Sequence, residues 1–85
     1  VESNETQFYL RLIARDRPGV IGEIGTCFGK HLVSLESIVQ KNSHDDSAEI
    51  VVLTKQVVER NFQAAIADIQ NLASIQSIAT VLRIL

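Results

Sequence analysis

The sequence predicts an α+β fold with one four-stranded antiparallel sheet and two helices on one face of it. Four short segments have the apolar pattern of a β-strand: in three of them apolar residues alternate, one with a slip, and the fourth is a continuous apolar run. In two other segments they recur every three to four residues, which is the period of a helix. The order is strand, helix, strand, strand, helix, strand. Two split βαβ units in this order, with right-handed crossovers, form a ferredoxin-like βαββαβ layer.

The first strand follows a polar opening. Residues 1–6 (VESNET) show no hydrophobic period and are predicted to be a linker or tail, which leaves 7–85 for the domain. Residues 8–15 then alternate, and one face is predicted to be buried: Phe8, Leu10, Leu12 and Ala14. Asp16-Arg17-Pro18-Gly19 ends this strand, because Pro presets the backbone for a turn or a first helical residue.

The first helix is predicted over residues 20–32. Its apolar stripe consists of Val20, Ile24, Cys27, Phe28 and Leu32. All four glycines of the chain lie between 19 and 29, and each one inside a helix costs about 1 kcal/mol relative to Ala. We therefore expect another helix, or the sheet itself, to approach this helix closely.

The second strand (33–42) is polar enough to be an edge strand, and its alternation slips between Leu35 and Ile38, which predicts a bulge. The third strand (48–54) is continuously apolar and is predicted to be central, with both faces covered. Residues 58–73 form the second helix, which starts without a clear cap and buries Phe62, Ala65, Ile66, Ile69, Leu72 and Ala73.

The last strand (77–85) is predicted to place Ile78, Leu82 and Ile84 on one face, with Thr80 among them. Because both helices cover the same face of the sheet, the other face stays open. It is predicted to carry Ile13, Val51 or Val52, Val81 and Leu85. That much apolar surface on a single copy predicts a partner.

Length and composition exclude several classes of protein. An 85-residue chain forms one domain with a core too small for a deep, buried active site. The net charge is −2 and the eight basic residues are scattered, which disfavours nucleic-acid binding. No apolar run is long enough for a membrane span. The single cysteine is consistent with a cytoplasmic protein. The start at Val1, without Met, favours a domain of a longer protein.

Catalytic and metal-binding patterns are weak. Cys27 and His31 lie four residues apart on one helix, which is the spacing of a thiol beside a base. Cys27, however, belongs to the apolar stripe, and no third orienting group is evident. Cys27, His31 and His44 lack the paired spacing of a metal site. No catalytic residue and no metal ligand are therefore predicted.

The segment from Ala14 to Val20 carries the clearest functional signal. It joins a central strand to the first turn of a helix, where unpaired backbone N–H groups and the helix dipole attract an anion such as a carboxylate. Gly19 lets a ligand approach the backbone, and Asp16 can pair with an ammonium group. Carboxylate plus ammonium describes a free amino acid. The alternative is that Asp16 only caps the helix and Pro18 only sets its first turn.

The same residues resemble a known family. The turn Asp16 to Val20 (DRPGV), the step His31-Leu32-Val33-Ser34-Leu35, the strand AEIVVLT and the ending VLRI resemble the ACT domain, an amino-acid-sensing regulatory module. The resemblance covers residues 7–85. It implies a homodimer joined through the edge strand and the first helix, with ligands at that interface. The implied ligand contacts are Asp16, Arg17, Pro18, Gly19, Val20, Ile21, Ser34 and Gln40.

Within this family the sequence most resembles the C-terminal domains of homoserine dehydrogenases. That resemblance implies feedback regulation by an amino acid, threonine, with no cofactor in this chain. It assigns NAD(P) and the oxidoreductase activity to a separate catalytic domain. Three alternatives stay open: a structural dimerisation module without ligand, an ACT domain of another enzyme of amino-acid metabolism, and a small acylphosphatase-like catalyst, which the acidic loop disfavours.

Overall fold

A computed structural model describes residues 5–85. It contains five strands and two helices in the order β1 Glu5–Arg15, α1 Val20–Lys30, β2 Leu35–His44, β3 Ser47–Thr54, β4 Val57–Val58, α2 Glu59–Gln70 and β5 Ile75–Ile84. The βαββαβ order predicted from the sequence is confirmed. The sheet has one strand more than predicted, because the two residues of β4 pair with Glu5 and Thr6.

The four long strands form an antiparallel sheet in the spatial order β2-β3-β1-β5. β3 lies between β2 and β1, so its predicted central position is confirmed. Among residues 5–85, β2 pairs only with β3, and this confirms the edge prediction. Its register shifts between Leu35 and Ser37, where the alternation of the sequence slips. A two-residue turn joins β2 to β3, with Asp45 in a left-handed conformation at φ +56°.

The core lies between the sheet and the two helices. All four residues predicted for the inner face of β1 are 2% exposed or less: Phe8, Leu10, Leu12 and Ala14. The helices contribute a second set of buried side chains: Val20, Ile24, Cys27, Phe28, Phe62, Ala65, Ile66 and Ile69. The Phe8 and Phe62 rings stack with their centroids 3.8 Å apart. This stacking contact ties α2 to the sheet.

Several boundaries differ from the prediction. β1 begins at Glu5, inside the expected tail, because β4 gives its first residues a pairing partner. The α1 helix ends at Lys30, so Leu32 lies beyond it and is 79% exposed instead of buried. The α2 helix ends at Gln70, and Ala73 is exposed. Its start lacks a side-chain cap, as predicted.

The face assignment of the last strand was wrong. Register shifts between β1 and β5 change the alternation, so that Ile78 pairs with Leu12 and Val81 pairs with Leu10. Antiparallel partners point to the same face, which places Val81 on the helix side and separates Ile78 from Leu82. The open face carries Ile13, Val51 and Leu82 instead, while Val52 is buried. Val51 and Leu53 are only half-buried, so a single copy leaves the second face of β3 partly uncovered.

No close neighbour of the glycines is present among the described residues. A Cβ placed on Gly22, Gly25 or Gly29 would meet no described atom within 4 Å outside its chain neighbours and the adjacent helix backbone. The expectation that the sheet approaches them is therefore wrong, and an approach by the helix of a second copy stays a prediction. In residues 5–85, no helix has the length and apolar character needed to cross a membrane.

Candidate functional site

The turn between β1 and α1 is fixed by backbone hydrogen bonds from two sides. Arg15 donates its N–H to the Ser74 carbonyl and Asp16 donates its N–H to the Asp46 carbonyl, both at 2.8 Å. The β2–β3 turn and the segment before β5 therefore hold the end of β1. Gly19 follows with φ +87°, a conformation that glycine adopts without strain. The first turn of α1 begins at this glycine.

The first turn of α1 keeps free hydrogen-bond donors. No side chain caps it, and the N–H groups of Gly19 and Ile21 have no partner within residues 5–85. Such N–H groups lie at the positive end of the helix dipole and suit a carboxylate. The alternative that Asp16 caps this helix is wrong, because its carboxylate is directed elsewhere.

Asp16 contacts the edge strand. Its Oδ1 accepts a hydrogen bond from Gln40 Nε2 at 3.1 Å, and the same nitrogen donates to Ser43 Oγ at 3.3 Å. The structure thus brings together Asp16 and Gln40, two of the residues expected to contact a ligand. Both side chains are exposed. The second carboxylate oxygen of Asp16, Oδ2, accepts no hydrogen bond from residues 5–85.

A shallow cavity of about 200 Å³ opens beside this turn. It is lined by Arg15, Asp16, Arg17 and Asp46, two cations and two anions. A neutral molecule with separated charges matches this balance better than an ion of one sign does. The sequence interpretation had missed Arg15 and Asp46 as lining residues. The acidic pair Asp45-Asp46 was visible in the sequence, but only the pairing of β1 with β3 shows that it lies beside Asp16.

The remaining expected contacts divide into two groups. Pro18 is exposed on the turn, Val20 is buried in the core, and Ile21 is half-buried against it, so the last two position the turn. Ser34 lies elsewhere: its carbonyl accepts the Lys55 N–H at 2.9 Å, just beyond the far end of β3. Arg15 pairs at the opposite end of β3. The eight residues of β3 therefore separate Ser34 from Asp16 by about 23 Å.

The Cys27–His31 pair is not assembled as a nucleophile and base. Cys27 is buried, and its pKa is raised chiefly by that burial, which disfavours the thiolate. His31 instead contacts α2, with Nε2 2.6 Å from Asp68 Oδ2. Lys30 approaches the same oxygen at 3.4 Å. These contacts hold the two helices together, and the sequence interpretation had missed Asp68 as their centre.

No metal centre is formed by the described part of the chain. The His, Cys, Asp and Glu side chains between residues 5 and 85 include no group of three with the placement that a metal ion requires. The bare turn of α1, Asp16 and the charged cavity thus form the candidate site.

Comparison with known proteins gives the site a family context. A family model described as the ACT domain matches residues 8–74. A homoserine dehydrogenase of Synechocystis sp. is 46% identical over 85 residues, which are 100% of this chain and 20% of that protein. A homoserine dehydrogenase of Neisseria gonorrhoeae is 38% identical over 79 residues, covering 92% of this chain and 18% of its own length. The chain thus spans about a fifth of these relatives.

Two solved structures are also similar to this chain. The crystal structure of a homoserine dehydrogenase from Thiobacillus denitrificans matches with a TM-score of 0.84 and 34% identity, over 96% of this chain and 18% of that one. The ligand-free regulatory subunit of aspartate kinase from Thermus thermophilus matches with a TM-score of 0.68 and 13% identity, over 94% of this chain and 56% of that one. The second likeness concerns the fold alone.

Proposed function

Because this chain belongs to the ACT domain family, we propose that it is the amino-acid-sensing regulatory domain of a homoserine dehydrogenase. The ligand we propose is threonine, bound between two copies of the chain. The observation that supports this proposal best is the bare first turn of α1, with unpartnered N–H groups beside the Asp16 carboxylate. The identity of 46% to a homoserine dehydrogenase supports the choice of parent enzyme.

The separation of Asp16 from Ser34 is the reason for proposing two copies. A two-fold axis that joins β2 to its own copy makes the two edge strands antiparallel. That arrangement brings the Asp16 end of one copy to the Ser34 end of the other. Each site then combines the bare turn and Asp16 from one chain with Ser34 from its partner. The exposed edge of β2 and the uncovered glycines of α1 favour this seam.

Each polar group of threonine has a partner in this arrangement. The N–H groups of Gly19 and Ile21 bind the carboxylate, since they lie at the positive end of α1. The Asp16 carboxylate binds the ammonium group. The hydroxyl of Ser34 from the second copy binds the side-chain hydroxyl of the ligand. Gln40 orients Asp16 through the hydrogen bond at 3.1 Å.

Ligand binding at the seam changes the relative orientation of the two chains. A ligand that contacts both copies favours the orientation in which both half-sites reach it. The bias passes to the catalytic domain as a coupling free energy of about 1–3 kcal/mol. The oxidoreductase activity and its NAD(P) belong to that domain. We propose a cytoplasmic location.

Calorimetric titration with each of the twenty amino acids tests this function. We expect saturable heat with threonine at one ligand per half-site, in a sample that sedimentation shows to be dimeric. A dimeric sample that gives no heat with any amino acid would exclude the sensing role for this chain. It would support the second candidate, a structural dimerisation module, which the exposed edge of β2 favours.

A further inference from the structure

Leu32 ends helix α1 in a conformation that seldom suits leucine. Its φ is +63°, and its N–H donates to the Gly29 carbonyl at 3.0 Å while the Val33 N–H donates to the Phe28 carbonyl at 2.9 Å. These two bonds are the Schellman ending of a helix, in which this left-handed position normally holds glycine or asparagine. A leucine at this φ carries steric strain between its Cβ and the backbone.

The fold of a single copy gives no reason for a leucine here. The side chain is 79% exposed, so it contributes little to the core. Asp45 is the other non-glycine residue of the described chain with a positive φ, and aspartate tolerates that conformation through local hydrogen bonds. Leu32 is thus both strained and exposed. A strained residue that its own fold does not need points to a role in binding.

The position of Leu32 places it at the proposed seam. It precedes β2 and lies at the Ser34 end of the sheet, at the opposite end of β3 from the Asp16 turn of its own chain. The antiparallel pairing of β2 with its copy carries this end to the Asp16 turn of the second chain. That pairing brings the Leu32 end of one chain beside the cavity of the other, whose own lining, Arg15, Asp16, Arg17 and Asp46, is entirely charged. That cavity lacks an apolar wall within one copy.

We propose that Leu32 supplies this wall to the site of the second copy and contacts the aliphatic part of the bound amino acid. This inference rests on the proposed function and goes further, because it assigns selectivity for a ligand methyl group to one residue. The polar contacts of the site are the same for threonine and serine, which differ by that methyl group. A leucine wall therefore favours threonine by about tenfold, the discrimination typical of one methyl group in an apolar pocket.

The test compares threonine and serine binding by calorimetry for the wild type, Leu32→Gly and Leu32→Met. Leu32→Gly removes the wall and the strain together, so we expect its melting temperature to rise by a few degrees. A loss of binding in this variant therefore does not come from misfolding. We expect Leu32→Gly to bind threonine about tenfold more weakly and serine unchanged. Leu32→Met keeps an apolar wall and keeps the preference for threonine.

Other outcomes overturn the proposal. An unchanged ratio of threonine to serine affinity in Leu32→Gly, or an equal loss for both ligands, shows that Leu32 does not contact the methyl group, while the proposed function stands. A dimeric wild type that binds neither ligand removes the proposed function, and the assignment of Leu32 falls with it. Sedimentation of all three proteins identifies any loss of affinity that comes from a weaker dimer.

Discussion

His31 and Asp68 join the end of α1 to α2, with Nε2 and Oδ2 2.6 Å apart. The hydrogen bond from His31, followed by that from Lys30, lowers the pKa of Asp68 below its ordinary value of 3.8. The contact fixes the end of the helix that leads to Leu32 and Ser34. It therefore stabilises the fold and also the part of the chain that we assign to the seam.

The first prediction concerns the stability of the fold at low pH. A carboxylate whose pKa is lower in the folded than in the unfolded state stabilises the fold fully above the unfolded pKa, and the effect is lost as the pH falls through the folded pKa. We expect urea unfolding of the wild type to lose stability from about pH 4 downward, and Asp68→Asn to lose less over that range. Asp45→Asn is the control, because its carboxylate is exposed. Equal acid slopes for the wild type and Asp68→Asn would contradict the prediction.

The second prediction concerns the ligand. Asp16→Ala removes the proposed partner of the ligand ammonium group and leaves the backbone hydrogen bonds of the turn in place. We expect threonine binding to weaken by about tenfold to a hundredfold, the loss of one charged hydrogen bond, while the protein stays dimeric. Calorimetry and sedimentation measure the two quantities.

Asp45→Asn is the matched control for Asp16→Ala as well. It removes the same charge one residue from the cavity, and asparagine tolerates the left-handed conformation of that turn. Its affinity for threonine should equal that of the wild type. An Asp16→Ala protein that binds threonine as tightly as the wild type would remove Asp16 from the site.

The third prediction concerns the helix surface at Gly25. Alanine there meets no atom of residues 5–85 within 4 Å outside the adjacent helix backbone, so helix propensity dominates and the folded monomer gains up to about 1 kcal/mol. If α1 contacts a second copy, the added methyl groups enter the seam and weaken the dimer. Urea unfolding and sedimentation separate these effects. Gln63→Ala, on the exposed surface of α2, should leave the dimer unchanged, and the same result for Gly25→Ala would contradict a seam along α1.

The fourth prediction concerns Thr54, which is fully buried. Its Oγ1 accepts the Phe8 N–H at 3.0 Å and donates to the Lys55 carbonyl at 2.8 Å. Thr54→Val keeps the shape but leaves both backbone groups without this partner. We expect a loss of about 1–3 kcal/mol in the free energy of unfolding. Thr54→Ser, which keeps the hydroxyl, should lose less; equal losses would show that packing matters more than the hydrogen bonds.

The spacing of apolar and polar residues predicted the buried face of one strand and the edge position of another. The alternation from Phe8 to Ala14 identified the buried face of β1, and the polar residues of β2 identified an edge strand. The same kind of pattern gave the wrong face for Val81, because the bulges of β5 arise from its pairing with β1. Period alone does not show where a partner strand forces an extra residue.

The candidate site shows the same limit. The DRPGV turn left two interpretations open, a helix start free to bind an anion and a helix capped by Asp16, and the structure contradicts the cap, since no side chain caps α1. Contacts between distant parts of the chain were not predictable: Thr54 with Phe8 is 46 residues apart and His31 with Asp68 is 37. Leu32 was assigned to the helix by its spacing, and only the Schellman ending explains why it lies outside.

The buried thiol of Cys27 allows local opening of the fold to be measured by thiol labelling. It is the single cysteine of the chain, and burial both hides it and raises its pKa. We therefore expect a thiol reagent to label the native protein mainly when the packing around Cys27 opens locally, so that the labelling rate follows this opening. A ligand that bridges two copies next to α1 should slow the reaction. One inexpensive reagent thus follows ligand occupancy without a mutation or an attached dye.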